Sequence, residues 1–424
     1  MKCLVLSARC CVLGAVLSAL CVATPHAAPG TQPQAQHSAP STTHPAPSTS
    51  SVQSRVSRGD PQVRPSEHPS APAAQAVVDA TLAGGTAPGI SAAIVLEDGQ
   101  VIAVTAGVSD RETKTPLTPL DRMLIGSVGK TFAAARAVQL IESGQLDLEA
   151  RVATYLGGEP WFARLPNAQT ATVRHLMTHT SGLVRYEFKE AFARDLRANP
   201  DRSWKPEELL AYVFDETPPF AAGEGWEYSD TNYIVLGLVI ERVQPQSFHR
   251  QISRALFRKM RRNRFVPSVT RTLPGLVQGY TGANDPITGG AVPVIVDGKL
   301  IFNPQFEWTG GGYAGTPTSL AIWAHLLYTG GAFAKPESVK MMIDAAVPAG
   351  LGPNAKYGLG VIVRNGTPVG ETWGHSGYFP GYLTEMIYLP ERRLAVAVQV
   401  NTSDARAIGI SPLRIAYALA DAVK

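Results

Sequence analysis

Ser127-Val128-Gly129-Lys130 places a hydroxyl and an amine three residues apart at the start of a strongly helical pattern. One helical turn separates such positions, so both groups share a face. An amine there can take the hydroxyl proton and turn the serine into a nucleophile. Lys130 serves as a base only if its pKa falls from about 10.4 toward neutrality, and burial or a nearby cation drives it that way. Taken alone, S-x-x-K reads first as a helix cap beside an exposed lysine. Two distant segments raise its value: Tyr228-Ser229-Asp230 and His375-Ser376-Gly377. Tyr228 can hold a leaving-group proton. His375 can act as a cation when protonated, or as a proton shuttle or hydrogen-bond partner for a substrate carboxylate when neutral.

Positioning these residues requires a particular order of elements. Gly89 to Gly107 reads as a β-hairpin around Asp98-Gly99. Ser127 to Ser143 is helical, with Phe132, Ala135, Val138 and Ile141 repeating at threes and Gly144 as the stop. Helices follow over 173–180, 205–214, 233–243, 320–328 and 338–346. The chain then returns to strands at 358–364, 371–376, 382–389 and 394–400, with a turn at Asn365-Gly366 and a last helix near 412–423. Strands at both ends predict an α/β (α+β) fold: one antiparallel sheet from both termini, flanked by helices, with an all-helical inserted lobe. A cleft between sheet and lobe would unite Ser127, Tyr228 and His375.

Four segments in order carry a family resemblance. They are Gly126 to Thr131, Val173-Arg174-His175-Leu176-Met177-Thr178-His179-Thr180-Ser181-Gly182-Leu183, Tyr228 to Tyr233, and Gly374 to Gly377. Gly310-Gly311-Gly312-Tyr313 and Tyr357-Gly358-Leu359-Gly360 add to it. The series resembles the serine β-lactamase and penicillin-binding-protein-like superfamily, in the branch holding D-alanyl-D-alanine carboxypeptidases, class C β-lactamases and related esterases. The resemblance implies a β-lactamase/transpeptidase-like fold, Ser127 as acylated nucleophile, Lys130 as its base partner and Tyr228 as their partner in proton transfer. It implies an oxyanion hole from the N–H groups of Ser127 and Tyr378. It places Asp230, His375, Ser376 and Gly377 against the substrate, the last three as an edge strand. Two departures stand out. His375 replaces the frequent lysine, which is more like carboxypeptidases and esterases. Asp230 stands where asparagine is usual; an ionised aspartate only accepts hydrogen bonds and would hold Lys130 charged.

Composition narrows the classes. Met1 to Ala27 reads as a secretory signal, with Lys2 and Arg9 before a short apolar core. Residues 28–72 are Pro-, Ser-, Thr- and Ala-rich and read as a disordered linker or equally as a propeptide, leaving 73–424 as the hydrolase domain. The four cysteines, Cys3, Cys10, Cys11 and Cys21, all lie in the leader, so thiol nucleophiles and thiolate metal sites are excluded from the expected mature chain. The chain carries 38 Lys and Arg against 34 Asp and Glu, which gives no electrostatic reason for a nucleic-acid partner. The run Arg258, Lys259, Arg261, Arg262 and Arg264 reads as a solvated face. Gly129-Lys130-Thr131 lacks the first glycine of a phosphate loop, since Leu124 stands there. His175 and His179 have zinc-helix spacing without the glutamate, and read as polar anchors of a short helix. Ser376 is no nucleophile elbow, because Tyr378 occupies the second glycine position.

The expected protein is an exported, periplasmic or secreted serine hydrolase, with no metal or organic cofactor and no transmembrane segment after signal removal. Its substrate is a small molecule or peptide, first a D-amino-acid-containing wall peptide, then an ester or a β-lactam. A catalytically silent module that binds wall fragments or penicillins is the reading from another class, and Asp230 is its only support.

Overall fold

The architecture comes from a computed structural model that describes residues 68–260 and 263–423. The expected leader, nearly all of the expected linker, and Arg261 and Arg262 of the basic run lie outside the described residues. Helix Ala71–Ala83 opens the described chain with a proline in its first turn, where a missing N–H costs nothing.

The hairpin strands β1 (Gly89–Val95) and β2 (Val101–Gly107) form one end of an eight-stranded sheet. Short strands β3 (Met123–Leu124), β4 (Val266–Pro267) and β7 (Tyr313–Gly315) make a second sheet in the order β3-β7-β4, and β5 (Ile295–Val296) pairs with β6 (Lys299–Leu300). The large sheet is completed by β8 (Val347–Pro348), β9 (Ala355–Tyr357), β10 (Ile362–Thr367), β11 (Gly370–Phe379), β12 (Tyr382–Leu389) and β13 (Leu394–Val400). Its order is β2-β1-β13-β12-β11-β10-β9-β8, antiparallel throughout. Ile90 opposite Val400 and Val95 opposite Ala395 join the two ends of the domain.

Every residue of β1 and β13 is buried. Helices cover both faces of the sheet, so these strands read as continuous apolar runs rather than alternating ones. Helices Ala71–Ala83 and Pro412–Ala422 pack on one face, burying Val78, Ile94, Val398 and Leu419 together. Helix Pro317–Tyr328 covers the other face and joins the main core with helices Lys130–Glu142 and Thr231–Val243. Each fully buried Val, Leu or Ile contributes about 1.5–3 kcal/mol. The lobe between the sheet halves is mainly helical, and the two small sheets lie in it as well.

Local details depart from expectation in two places. The Asn365-Gly366 pair is not the hairpin turn. The register between β10 and β11 shifts between Arg364 and Thr367, so the pair lies in a bulge, and the chain reverses after Thr367. The expected strand from Gly358 is instead a tight turn, closed by Gly358 N–H to the Val361 carbonyl at 2.8 Å, with the strand beginning at Ile362. A pattern of turn-forming residues marks where pairing is interrupted, and a bulge interrupts it as a turn does.

Candidate active site

Ser127 lies in a 3₁₀ turn, Gly126–Gly129, that leads into helix Lys130–Glu142. In a 3₁₀ turn side chains at i and i+3 eclipse, which aligns Ser127 with Lys130 more closely than an α-turn would. Strand β3 and the bond from Ile125 N–H to the Tyr313 carbonyl (3.1 Å) hold the turn from behind. Gly126 has φ +50°, and a Cβ there would fall 2.4 Å from the Tyr378 carbonyl oxygen and 2.7 Å from its nitrogen. Only glycine fits such a backbone approach. A Cβ on Gly377 would strike the Ile125 carbonyl at 2.0 Å. The turn and the end of β11 are thus in direct contact, and the Tyr378 backbone sits beside the residue preceding Ser127.

Lys130 is fully buried. Its Nζ lies 2.9 Å from Ser127 Oγ and 2.8 Å from the Gly310 carbonyl, and it pairs with Asp230 Oδ1. Three acceptors match the three donors of an ammonium. Burial pushes the Asp230 carboxyl up, but the charge of Lys130, with Glu187 and Arg185, outweighs it and holds the group well below the usual carboxylate range. Asp230 therefore faces Lys130.

The segment 178–183 positions Tyr228 and Asp230. His179 is a left-handed helix cap at φ 60°. Its Nδ1 accepts from the Ser229 N–H at 3.3 Å and lies 3.1 Å from Asn232 Nδ2. Ser181 Oγ donates to Asn232 Oδ1 at 2.5 Å. Nearby, Thr172 and His175 close a capping box on the short helix Val173–Thr178. Both histidines are structural anchors, and among the described residues no group of three or more His, Cys, Asp or Glu could hold a metal ion.

Tyr228 is 7% exposed, and its ring centroid is 5.0 Å from Lys130 Nζ. Burial, and then the Asp230 charge, push its phenol well above the ordinary range; the Ser127 side chain pulls it down only in part. Its hydroxyl is buried and makes no hydrogen bond of normal geometry. A buried orphan hydroxyl is costly, and this one belongs to a neutral donor beside the Ser127–Lys130 pair.

The strand motif corrects two expectations. His375 is 1% exposed. Its Nε2 lies 2.8 Å from Tyr357 Oη and its Nδ1 2.7 Å from the Ser376 carbonyl. Burial, and then the Lys130 charge, push the imidazole down to about 3. It is neutral and enclosed, so it supplies neither a cation nor a free contact for a substrate carboxylate. Ser376, next in the strand, turns the other way. Its hydroxyl donates to Glu385 at 2.7 Å and accepts from Arg364 at 3.4 Å. The β11 backbone fits the edge-strand expectation better. Strand β10 pairs with β11 only as far as Gly374, and among the described residues no strand continues that side past His375. The state of His375 has a direct check. Its ring resonances should stay fixed between pH 5 and 8 in NMR spectra, because the midpoint of protonation is pushed down to about 3; titration near 6.5 would contradict the buried, neutral assignment.

Three ionisable groups beside the site escaped the sequence reading. Arg185 donates from Nε to Glu187 Oε1 at 2.5 Å and from Nη2 to Asp230 Oδ2 at 3.3 Å. Burial pushes Glu187 up to about 8 against the opposing Arg185 charge, and Glu307 up to about 8 against Lys130. No motif spacing signals them; the one clue is charge alternating with apolar residues in Val184-Arg185-Tyr186-Glu187-Phe188. The aromatic residues near the motifs divide. Trp308, Tyr313 and Phe379 are core residues, while Tyr378 is half-buried and donates to Asp285 Oδ2 at 2.7 Å. In the basic run, Lys259 donates to the Gly331 and Ala332 carbonyls.

Comparison with known proteins decides the family. The sequence matches the family described as Beta-lactamase across residues 74–418. The chain belongs to the Beta-lactamase family. Its relatives place it in the serine hydrolase superfamily of penicillin-binding proteins and related esterases. "Penicillin-binding protein 4*" of Bacillus subtilis (strain 168) is 27% identical over 315 residues, covering 70% of this chain and 65% of that protein. "Esterase EstB" of Burkholderia gladioli is 33% identical over 163 residues, 36% of this chain and 41% of its own. The chain thus spans less than two thirds of either relative's length. Among solved structures, the octameric penicillin-binding protein homologue from Pyrococcus abyssi superposes with TM-score 0.67 at 26% identity, covering 82% of this chain and 76% of that one. The D-amino acid amidase from Ochrobactrum anthropi SV3 complexed with D-phenylalanine gives TM-score 0.69 at 23% identity, over 84% and 99%. At that identity the likeness shows the shared fold. Among the described residues no helix is long and apolar enough to cross a membrane.

Proposed function

We propose that this Beta-lactamase family member is an exported hydrolase that forms an acyl-enzyme at Ser127. Its substrates are peptides ending in a D-amino acid, as for a D-alanyl-D-alanine carboxypeptidase. The observation that carries the reading is the 2.9 Å contact between a fully buried Lys130 ammonium and a partly accessible Ser127 hydroxyl. Penicillin-binding relatives, and a structural neighbour bound to D-phenylalanine, favour a D-amino-acid substrate.

An ammonium has no lone pair, so Lys130 acts as base only after it has released one proton to water, while Asp230 stays ionised. The neutral amine then takes the Ser127 proton as Oγ attacks the carbonyl carbon. The N–H groups of Ser127 and Tyr378 receive the oxyanion, each such donor being worth about 3 kcal/mol. The Tyr228 phenol gives its proton to the leaving nitrogen or oxygen and regains one from Lys130. Water then attacks the acyl carbon and frees Ser127.

A second reading, an esterase, is favoured by the loss of a cationic His375 and by the EstB relative. The silent-module reading rested on Asp230. That charge is balanced by Lys130 and Arg185 without separating Lys130 from Ser127. The experiment is to measure D-alanine release from a wall pentapeptide and hydrolysis of short-chain esters side by side. D-alanine release that falls by about 10⁴-fold or more in Ser127→Ala is the expected result. Ester turnover without D-alanine release would move the assignment to the esterase.

A further inference from the structure

We propose that Arg185 is the substrate-recognition cation of this site and receives a carboxylate on the substrate. The inference rests on the acyl-serine reading above and names the chemistry that the site selects.

Other cations near the motifs are already engaged or uncharged. Lys130 is fully buried, with all three donors occupied. His375 is enclosed by Tyr357 and its own strand. Arg364 lies beside Ser376 and Glu385, on the opposite face of β11 from His375. Arg185 is paired as well, but it lies against Tyr228 and Asp230. Its side chain is 15% exposed, and it sits between the Phe188 ring at 4.2 Å and the Tyr228 ring at 5.3 Å. Glu187 anchors Nε and Asp230 anchors one Nη2 donor. A guanidinium carries five N–H donors, so the Nη1 pair and one Nη2 hydrogen are left over. The fork is already held in place, and little conformational entropy remains to be lost on binding.

The charge balance agrees. Lys130 and Arg185 face Asp230, Glu187 and Glu307, with the neutral Tyr228 phenol between them. Burial keeps Glu187 and Glu307 largely protonated at neutral pH, which leaves one positive charge in excess beside Ser127. A planar carboxylate matches the free edge of a guanidinium with two parallel hydrogen bonds. The same geometry gives Asp230 a purpose that asparagine would not serve as well: one carboxylate fixes Lys130 through Oδ1 and Arg185 through Oδ2.

The test compares two ligands that differ in a single group: an acyl-D-alanyl-D-alanine with a free C-terminal carboxylate, and its carboxamide. Their dissociation constants are measured calorimetrically in a Ser127→Ala background, where recognition is read without turnover. Failure of the hydrolase reading would appear separately, as absent turnover in the Ser127 protein. The carboxylate is expected to bind at least about tenfold tighter than the amide, as a hydrogen bond to a charged group allows. Adding Arg185→Gln should abolish that ratio. Adding Arg185→Lys, which keeps the charge and loses the fork, should reduce it several-fold, and covers the case in which the glutamine variant fails to fold. An equal affinity for both ligands before substitution, or a ratio unchanged by Arg185→Lys in a folded protein, would overturn the proposal.

Discussion

Lys130→Ala should lower turnover by about 10³-fold, the range general-base removal reaches. Two lines of geometry set that expectation. Lys130 Nζ is the group in contact with Ser127 Oγ, and Asp230 and the Gly310 carbonyl hold it there. The same change also costs stability. Lys130 is fully buried, and removing it leaves the Gly310 carbonyl without its donor and Asp230 with Arg185 alone. Breaking a buried pair from one side costs about 3 kcal/mol or more, somewhat less here because Asp230 is partly exposed and keeps a second cation. Burst-phase acylation kinetics and thermal unfolding on the same preparation read both effects. A folded variant with near-normal acylation would remove Lys130 from the mechanism.

Tyr228→Phe should move activity and stability in opposite directions. The phenol is neutral and buried, and it makes no hydrogen bond of normal geometry, with only the Ser127 side chain beside it. Deleting an unsatisfied buried hydroxyl relieves a penalty of about 1–3 kcal/mol, so the variant should melt at the same temperature as the parent or higher. Proton delivery to the leaving group would be lost, lowering turnover by about 10²-fold. Poor leaving groups should suffer more than activated ones, which need no proton. A structural role alone would give the reverse, lower stability and little selectivity between leaving groups. Measuring kcat for an amide and for an activated ester beside the melting curve separates the two.

These two residues were visible in the sequence because short-range spacing reports them. Ser127 and Lys130 share one turn, and Tyr228 opens a helix whose apolar run is unmistakable. The terminal strands were visible for a similar reason: Leu394 to Val400 and Ile90 to Val95 are apolar runs bounded by turns, long enough to require a sheet covered on both faces. What could not be read was the electrostatic state of each group, because it depends on partners far along the chain. His375 is made neutral by enclosure under Tyr357, 18 residues earlier. Asp230 is balanced by Arg185, 45 residues earlier. No periodicity encodes either contact, so the histidine was expected to serve as a part-time cation and the aspartate to oppose the base. Glu187 and Glu307 were missed for the same reason: nothing local distinguishes a carboxyl that folding will bury. The short pieces β3, β4 and β7 carry too few residues to show a period of two, yet β3 fixes the turn on which the nucleophile sits.

Ser127 Oγ as the atom that carries the acyl group is the claim on which the rest depends. It is tested by exposing the protein to a fluorescent penicillin and to an activated phosphonate, then locating the adduct by peptide mass. The account predicts one modified peptide containing Ser127, with the label absent in Ser127→Ala. An adduct on another residue, or none from either reagent with a folded protein, would contradict it.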